Sequence, residues 1–114
     1  MPSEKESGAL RDVLFHIDAA ERFAHGQTFE SLRDDLMRLY AVIRSLEIIS
    51  EASRRLSDEL KARHPGIPWR EMAAAGNFYR HNCEDVTPRR VWKTLQEDLS
   101  PLRAVIEQEL GSQI

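Results

Sequence analysis

The stretch best equipped for chemistry is Gly76-Asn77-Phe78-Tyr79-Arg80-His81-Asn82. It places an amide (Asn77), a guanidinium (Arg80) and an imidazole (His81) together where an amphipathic segment gives way to the aperiodic His81-Asn82-Cys83-Glu84-Asp85-Val86. Such a set can handle a phosphate group. Arginine neutralises its charge, asparagine positions an oxygen, and histidine takes or gives a proton near neutral pH. The spacing fits equally well with exposed polar residues at a helix end.

Other chemistries lack their residues. There is no glycine-rich phosphate loop, no paired-cysteine motif, no nucleophile elbow and no pair of histidines at metal-binding spacing. His81-x-Cys83 offers two ligands where zinc takes three or four, so neither a metal nor another cofactor is expected. His16, His25 and His64 stand apart, and each reads as a surface or capping histidine. Glu51 falls among Ile48, Ile49 and Ala52, as either a boundary residue or a buried carboxylate that needs a donor. The formal charge of −3 argues against bulk electrostatic binding to duplex DNA. Arginine outnumbers lysine 13 to 3, which suits anion handling and also a GC-rich coding bias.

The elements that must position these groups follow from periodicity. At 114 residues, 41% hydrophobic and 31% charged, the chain reads as one folded domain over 1–114, with residues 1–7 as a flexible N-terminus. Leu10, Val13, Leu14, Ile17, Ala20 and Phe23 recur at helical spacing and predict a helix from about 8 to 24, closed by Gly26. Thr28 is the expected N-cap of the next helix, and no Gly or Pro interrupts 29–63, which predicts one long helix or two nearly collinear ones. His64-Pro65-Gly66-Ile67-Pro68 stops it, and 69–81 reads as a third helix whose small Ala73 and Gly76 allow close approach of another backbone. Thr87-Pro88 is the expected cap of a last helix over 88–110, kinked or restarted at Ser100-Pro101. The expected fold is all-α, an antiparallel up-and-down bundle of four to five helices. No apolar run approaches the roughly 20 residues of a membrane span. With no apolar leader segment and one cysteine, the expected location is cytoplasmic.

Four segments together resemble the HepT-like family of the HEPN superfamily, small helical proteins often encoded beside a minimal nucleotidyltransferase of the MntA type. Leu46-Glu47-Ile48-Ile49-Ser50-Glu51-Ala52 is similar to the family's LEIIGEA segment, and Pro65-Gly66-Ile67-Pro68-Trp69-Arg70 to its P-x-IPW turn. Asn77 and His81 fall where the family has RN…H, and Val91-Trp92 fits its VW helix start. The resemblance runs from about residue 10 to 110 and implies a HEPN-like bundle. It implies a homodimeric, metal-independent endoribonuclease, the toxin of a toxin–antitoxin system, regulated by its partner nucleotidyltransferase (an MntA-like antitoxin). In that picture His81 is the general acid or base for the RNA 2′-OH at a cleft between protomers. A motif arginine stabilises the phosphorane-like charge, and a tyrosine two residues after the histidine receives AMP in some members.

This chain departs from the family's motif at two site positions. Gly76 stands at the motif arginine position and Cys83 at the tyrosine position. Arg80 is the nearby guanidinium, about 100° around a helix from His81, so it reaches the same phosphate only if the helix ends there. The resemblance therefore also admits a catalytically weak or inactive binding module. Such a module would dimerise, pair with a minimal nucleotidyltransferase, and contact nucleotide or RNA through His81 and Asn77.

Overall fold

The computed structural model describes residues 3–81 and 86–111, with the side chains of Arg80, His81 and Val86 outside that description. The described residues form α1 (Glu4–Ala24), α2 (Phe29–Asp34), α3 (Leu36–Ser53), α4 (Asp58–Arg63), α5 (Trp69–His81), α6 (Val86–Lys93), a π-helical segment (Thr94–Asp98) and α7 (Leu99–Gly111). No strand occurs among them. The fold is all-α, as the periodicity predicts.

The bundle is built on α1 and α3, which run antiparallel. Arg55 pairs with Asp12 at 2.8 Å near one end, and Arg38 donates to the Phe23 carbonyl at 2.8 Å near the other. Between them the apolar stripe Leu10, Val13, Ile17 and Ala20 meets Val42, Leu46 and Ile49, all buried. Burying such stripes, at about 25 cal/mol per Å² of apolar surface, supplies the main drive for the fold. Against this pair, α5 lies on α3 and α7 on α1, where Arg103 bridges to Asp18 and Glu21.

Helix ends account for the departures from the sequence expectations. The first helix begins at Glu4, so residues 4–7, expected as part of a flexible terminus, are helical. Ser3 caps Glu6 N–H at 3.1 Å, and the Glu6 carboxylate accepts the Ser57 N–H at 2.8 Å from across the bundle. Its other end behaves as expected, with Gly26 at φ +76, a left-handed turn that favours glycine. Thr28 caps α2 as predicted, in a capping box with Ser31.

The helix expected over 29–63 is divided into α2, α3 and α4. Asp35 adopts extended backbone and accepts from Arg38 N–H, while Ser57 does the same for Leu60 N–H. Short polar side chains compete for backbone donors in this way and start new helices without any Gly or Pro. Glu51 turns out exposed, a boundary residue. The last helix is also divided. Leu99 N–H bonds the Thr94 carbonyl, five residues back, just before Pro101. Proline has no N–H and its ring crowds the carbonyl four residues earlier, so the wider turn relieves the clash. Thr87 is not the N-cap, because α6 starts at Val86. It is buried, and its hydroxyl has no partner among the described residues.

A buried carboxylate that the sequence did not single out is Glu109. It accepts from Arg63 at 2.8 and 3.2 Å and lies 2.6 Å from His64 Nε2. His64 caps α4 through its backbone, but its side chain is only 10% exposed, so it is not a surface histidine. The hydrogen bond from Arg63 comes first among the influences holding the Glu109 carboxyl below its ordinary value, and burial opposes it. A depressed folded-state pKa means that this stabilisation is complete above the unfolded carboxyl's pKa. It is then lost as pH falls through the folded one. The melting temperature is therefore expected to fall as pH drops below about 5, and Glu109→Gln should remove that component. The same variant should cost about 1.5–3 kcal/mol at neutral pH by losing a charge-assisted contact. Thermal melts across pH check both; a variant as stable as wild type at pH 7 would refute the assignment.

Candidate active site at the end of α5

Helix α5 starts where Pro68 follows the buried Ile67, and the Trp69 indole N–H donates to the His64 carbonyl at 3.0 Å. One stripe of α5 meets α3 in close contact. Ser50 Oγ donates to the Ala73 carbonyl at 3.1 Å and accepts the Gly76 N–H at 3.1 Å. Arg54 also reaches the Ala73 carbonyl, with Nε at 3.0 Å. A Cβ on Gly76 would sit 3.1 Å from Ser50 Oγ. The small residues thus serve a helix contact within the chain, and the backbone they admit is α3.

Asn77 lies on the next stripe and is exposed. His81, the last residue of α5, falls one turn further along that stripe. Arg80 occupies the position one turn beyond Gly76, on the stripe that faces α3. At the level of the backbone the helix therefore groups Asn77 with His81 and sets Arg80 beside them at its terminus. The loop expected over 81–86 is shorter at both ends, because His81 closes α5 and Val86 opens α6, and the rest of it, with Asn82 and Cys83, lies outside the described residues.

The neighbours of this turn are well fixed. Tyr79 is buried, as expected of a core residue, and its hydroxyl lies 3.2 Å from Thr94 Oγ1, tying α5 to the π-helical segment. Burial pushes the Tyr79 phenol above its usual pKa, so it stays neutral over the physiological range. Arg90 of α6 covers the Phe78 ring, 4.9 Å from guanidinium carbon to centroid. A cavity of about 280 Å³ opens beside Glu71, Met72, Ala75 and Tyr79, a stripe of α5 that does not include Asn77. Among the described residues its lining omits Asn77 and includes Arg90 of α6. No group of three or more metal-ligating side chains occurs among the described residues.

A profile of the family described as ribonuclease HepT-like matches residues 13–109, from the second turn of the α1 core stripe to Glu109. The chain belongs to the HepT-like ribonuclease family. The protein named "Probable ribonuclease HepT" of Thermococcus cleftensis is 40% identical over 98 residues, which span 86% of this chain and 89% of that one. A protein of Caldanaerobacter subterraneus named as a candidate RNase is 32% identical over 101 residues, 89% of this chain and 90% of its own. Another so named, from Methanocaldococcus jannaschii, is 31% identical over 98 residues, 86% of this chain and 90% of its own. No solved structure matches the chain.

Within this HepT-like chain, two residues near the site went unremarked in the sequence. Ser50 stands where the resembled LEIIGEA segment has glycine, and it packs on Gly76, where the resembled motif has arginine. The two departures touch. That each departs from the pattern was the available signal; their contact needed the fold. The other is Arg90, twelve positions from Phe78 in sequence, whose guanidinium covers the Phe78 ring.

Proposed function

We propose that this chain is a metal-independent endoribonuclease, the toxin of a toxin–antitoxin pair whose antitoxin is a minimal nucleotidyltransferase. The observation that carries the reading is the family match over 13–109, which includes all of α5 with Asn77 and His81 on one face of its last turns. In the proposed reaction His81 takes the proton of an RNA 2′-OH, whose oxygen attacks the adjacent phosphorus. The P–O5′ bond breaks, the 5′ oxygen leaves with a proton, and a 2′,3′-cyclic phosphate remains. Asn77 positions a non-bridging oxygen and Arg80 offsets the charge that develops on the phosphorane.

The site is proposed to form between two copies. Leu36, Met37 and Tyr40 begin α3 as an exposed apolar strip, with Met37 84% exposed, and such a strip favours a partner surface. The purified protein is expected to sediment as a dimer and to cleave single-stranded RNA in excess EDTA, with cyclic-phosphate ends identified by mass spectrometry. Loss of cleavage in EDTA, or a single-chain mass at every concentration, would overturn the respective part. A second reading, a binding module that cleaves poorly, is favoured by Gly76, which packs against α3 and offers no guanidinium to the phosphate.

A further inference from the structure

Most arginines of this protein whose partners are known are tied to carboxylates. Arg33, Arg38, Arg55, Arg63 and Arg103 all pair with Asp or Glu. Helix α6 is different. Its sequence VTPRRVWK carries Arg89, Arg90 and Lys93 and no acid, in a chain of net charge −3. All three are exposed, and none has a carboxylate partner among the described residues. Aromatic faces hold the two arginines instead. The Arg89 guanidinium lies 5.1 Å from the Phe29 centroid, and Phe29 packs edge-on against Trp92. Arg90 covers Phe78, the residue next to Asn77.

We infer that this face of α2 and α6, formed by Phe29, Arg89, Arg90 and Lys93, is a track on which single-stranded RNA lies as it approaches the end of α5. The inference rests on the ribonuclease reading and names its anchoring surface. A guanidinium stacked on a ring keeps its full charge and is held flat, so little conformational freedom is lost when it meets a phosphate or a base. Flat cations interleaved with aromatic rings suit the splayed bases of a single strand. A duplex presents no free base faces, and its dense charge calls for a broader positive surface than three side chains on an acidic protein. Arg90 sets the position of the track, because its ring partner precedes Tyr79 and follows Asn77 in the turn that ends at His81.

The test uses the full chain and a short single-stranded RNA in two forms, one with 2′-O-methyl riboses that resist cleavage and one with ordinary riboses. The double variant Arg89→Gln/Arg90→Gln should bind the methylated RNA about tenfold more weakly and lower the slope of log affinity against log salt by about 1.4, two single-strand phosphate contacts. On ordinary RNA it should raise KM far more than it lowers kcat. Lys93→Glu, which removes no ring contact, should weaken binding in the same direction even if the double variant melts early. Arg11→Gln, an exposed change on α1, is the control and should match wild type. Wild-type affinity and salt slope in both track variants would overturn the track. If wild type binds the methylated RNA, the track variants lose it, and ordinary RNA is never cut, then the track stands and the ribonuclease reading falls.

Discussion

His81→Ala is expected to lower RNA cleavage by about 10²–10⁴-fold, the usual contribution of a positioned acid–base group. His16 Nδ1–H donates to the Asp12 carbonyl, His25 caps α1, and His64 is engaged by Glu109 at the far end of α4, so each has a structural part. His81 ends α5, one turn from the exposed Asn77. If His81 serves the reaction alone, stability should change by no more than about 0.5 kcal/mol in a thermal melt. Cleavage at the wild-type rate in His81→Ala would move the conclusion to the binding-module reading.

Much of the scaffold that holds this histidine can be read from the sequence, because it rests on local signals. The 3–4 rhythm of α1, the left-handed glycine at Gly26 and the Pro65–Pro68 stop each act over a few residues, and each stands where expected. Through-space partners are another matter. Glu6, in the first turn of α1, meets the Ser57 N–H at the cap of α4, 51 residues away. Continuous helical periodicity hides the breaks within 29–63, since the apolar stripe runs on across Asp35, which ends α2 and starts α3, and across Ser57, which starts α4. Pro101 did announce a disturbance, but the π turn falls just before the proline, where its ring and missing N–H act. Near the site the same division holds. Asn77 and His81 are legible as a pair four apart on one helix, whereas the contact between Ser50 and Gly76 is not.

That contact governs what happens when the motif arginine is put back. Gly76→Arg alone is expected to destabilise the protein by about 1–3 kcal/mol, the cost of overpacking a tight contact. The new Cβ would sit 3.1 Å from Ser50 Oγ and 3.5 Å from Ser50 Cβ. Ser50 is 2% exposed, and its hydroxyl is held by the Ala73 carbonyl and the Gly76 N–H, so rotating away forfeits both bonds. Ser50→Gly removes both crowding atoms, at a helix-propensity cost of about 1 kcal/mol, and Arg54 still satisfies the Ala73 carbonyl. The double variant Ser50→Gly/Gly76→Arg should therefore be more stable than the sum of the single effects, the signature of residues in contact. It should also cleave faster than wild type, because a charge-assisted contact made in the transition state is worth about 10²–10³ in rate. Thermal melts of the four proteins in the cycle, with kcat/KM on one RNA, read both effects. Gly76→Arg that melts like wild type would remove the steric coupling. A well-folded double variant that cleaves no faster would show that the absent guanidinium is not what limits this enzyme, and that Arg80 at the end of α5 already supplies the charge.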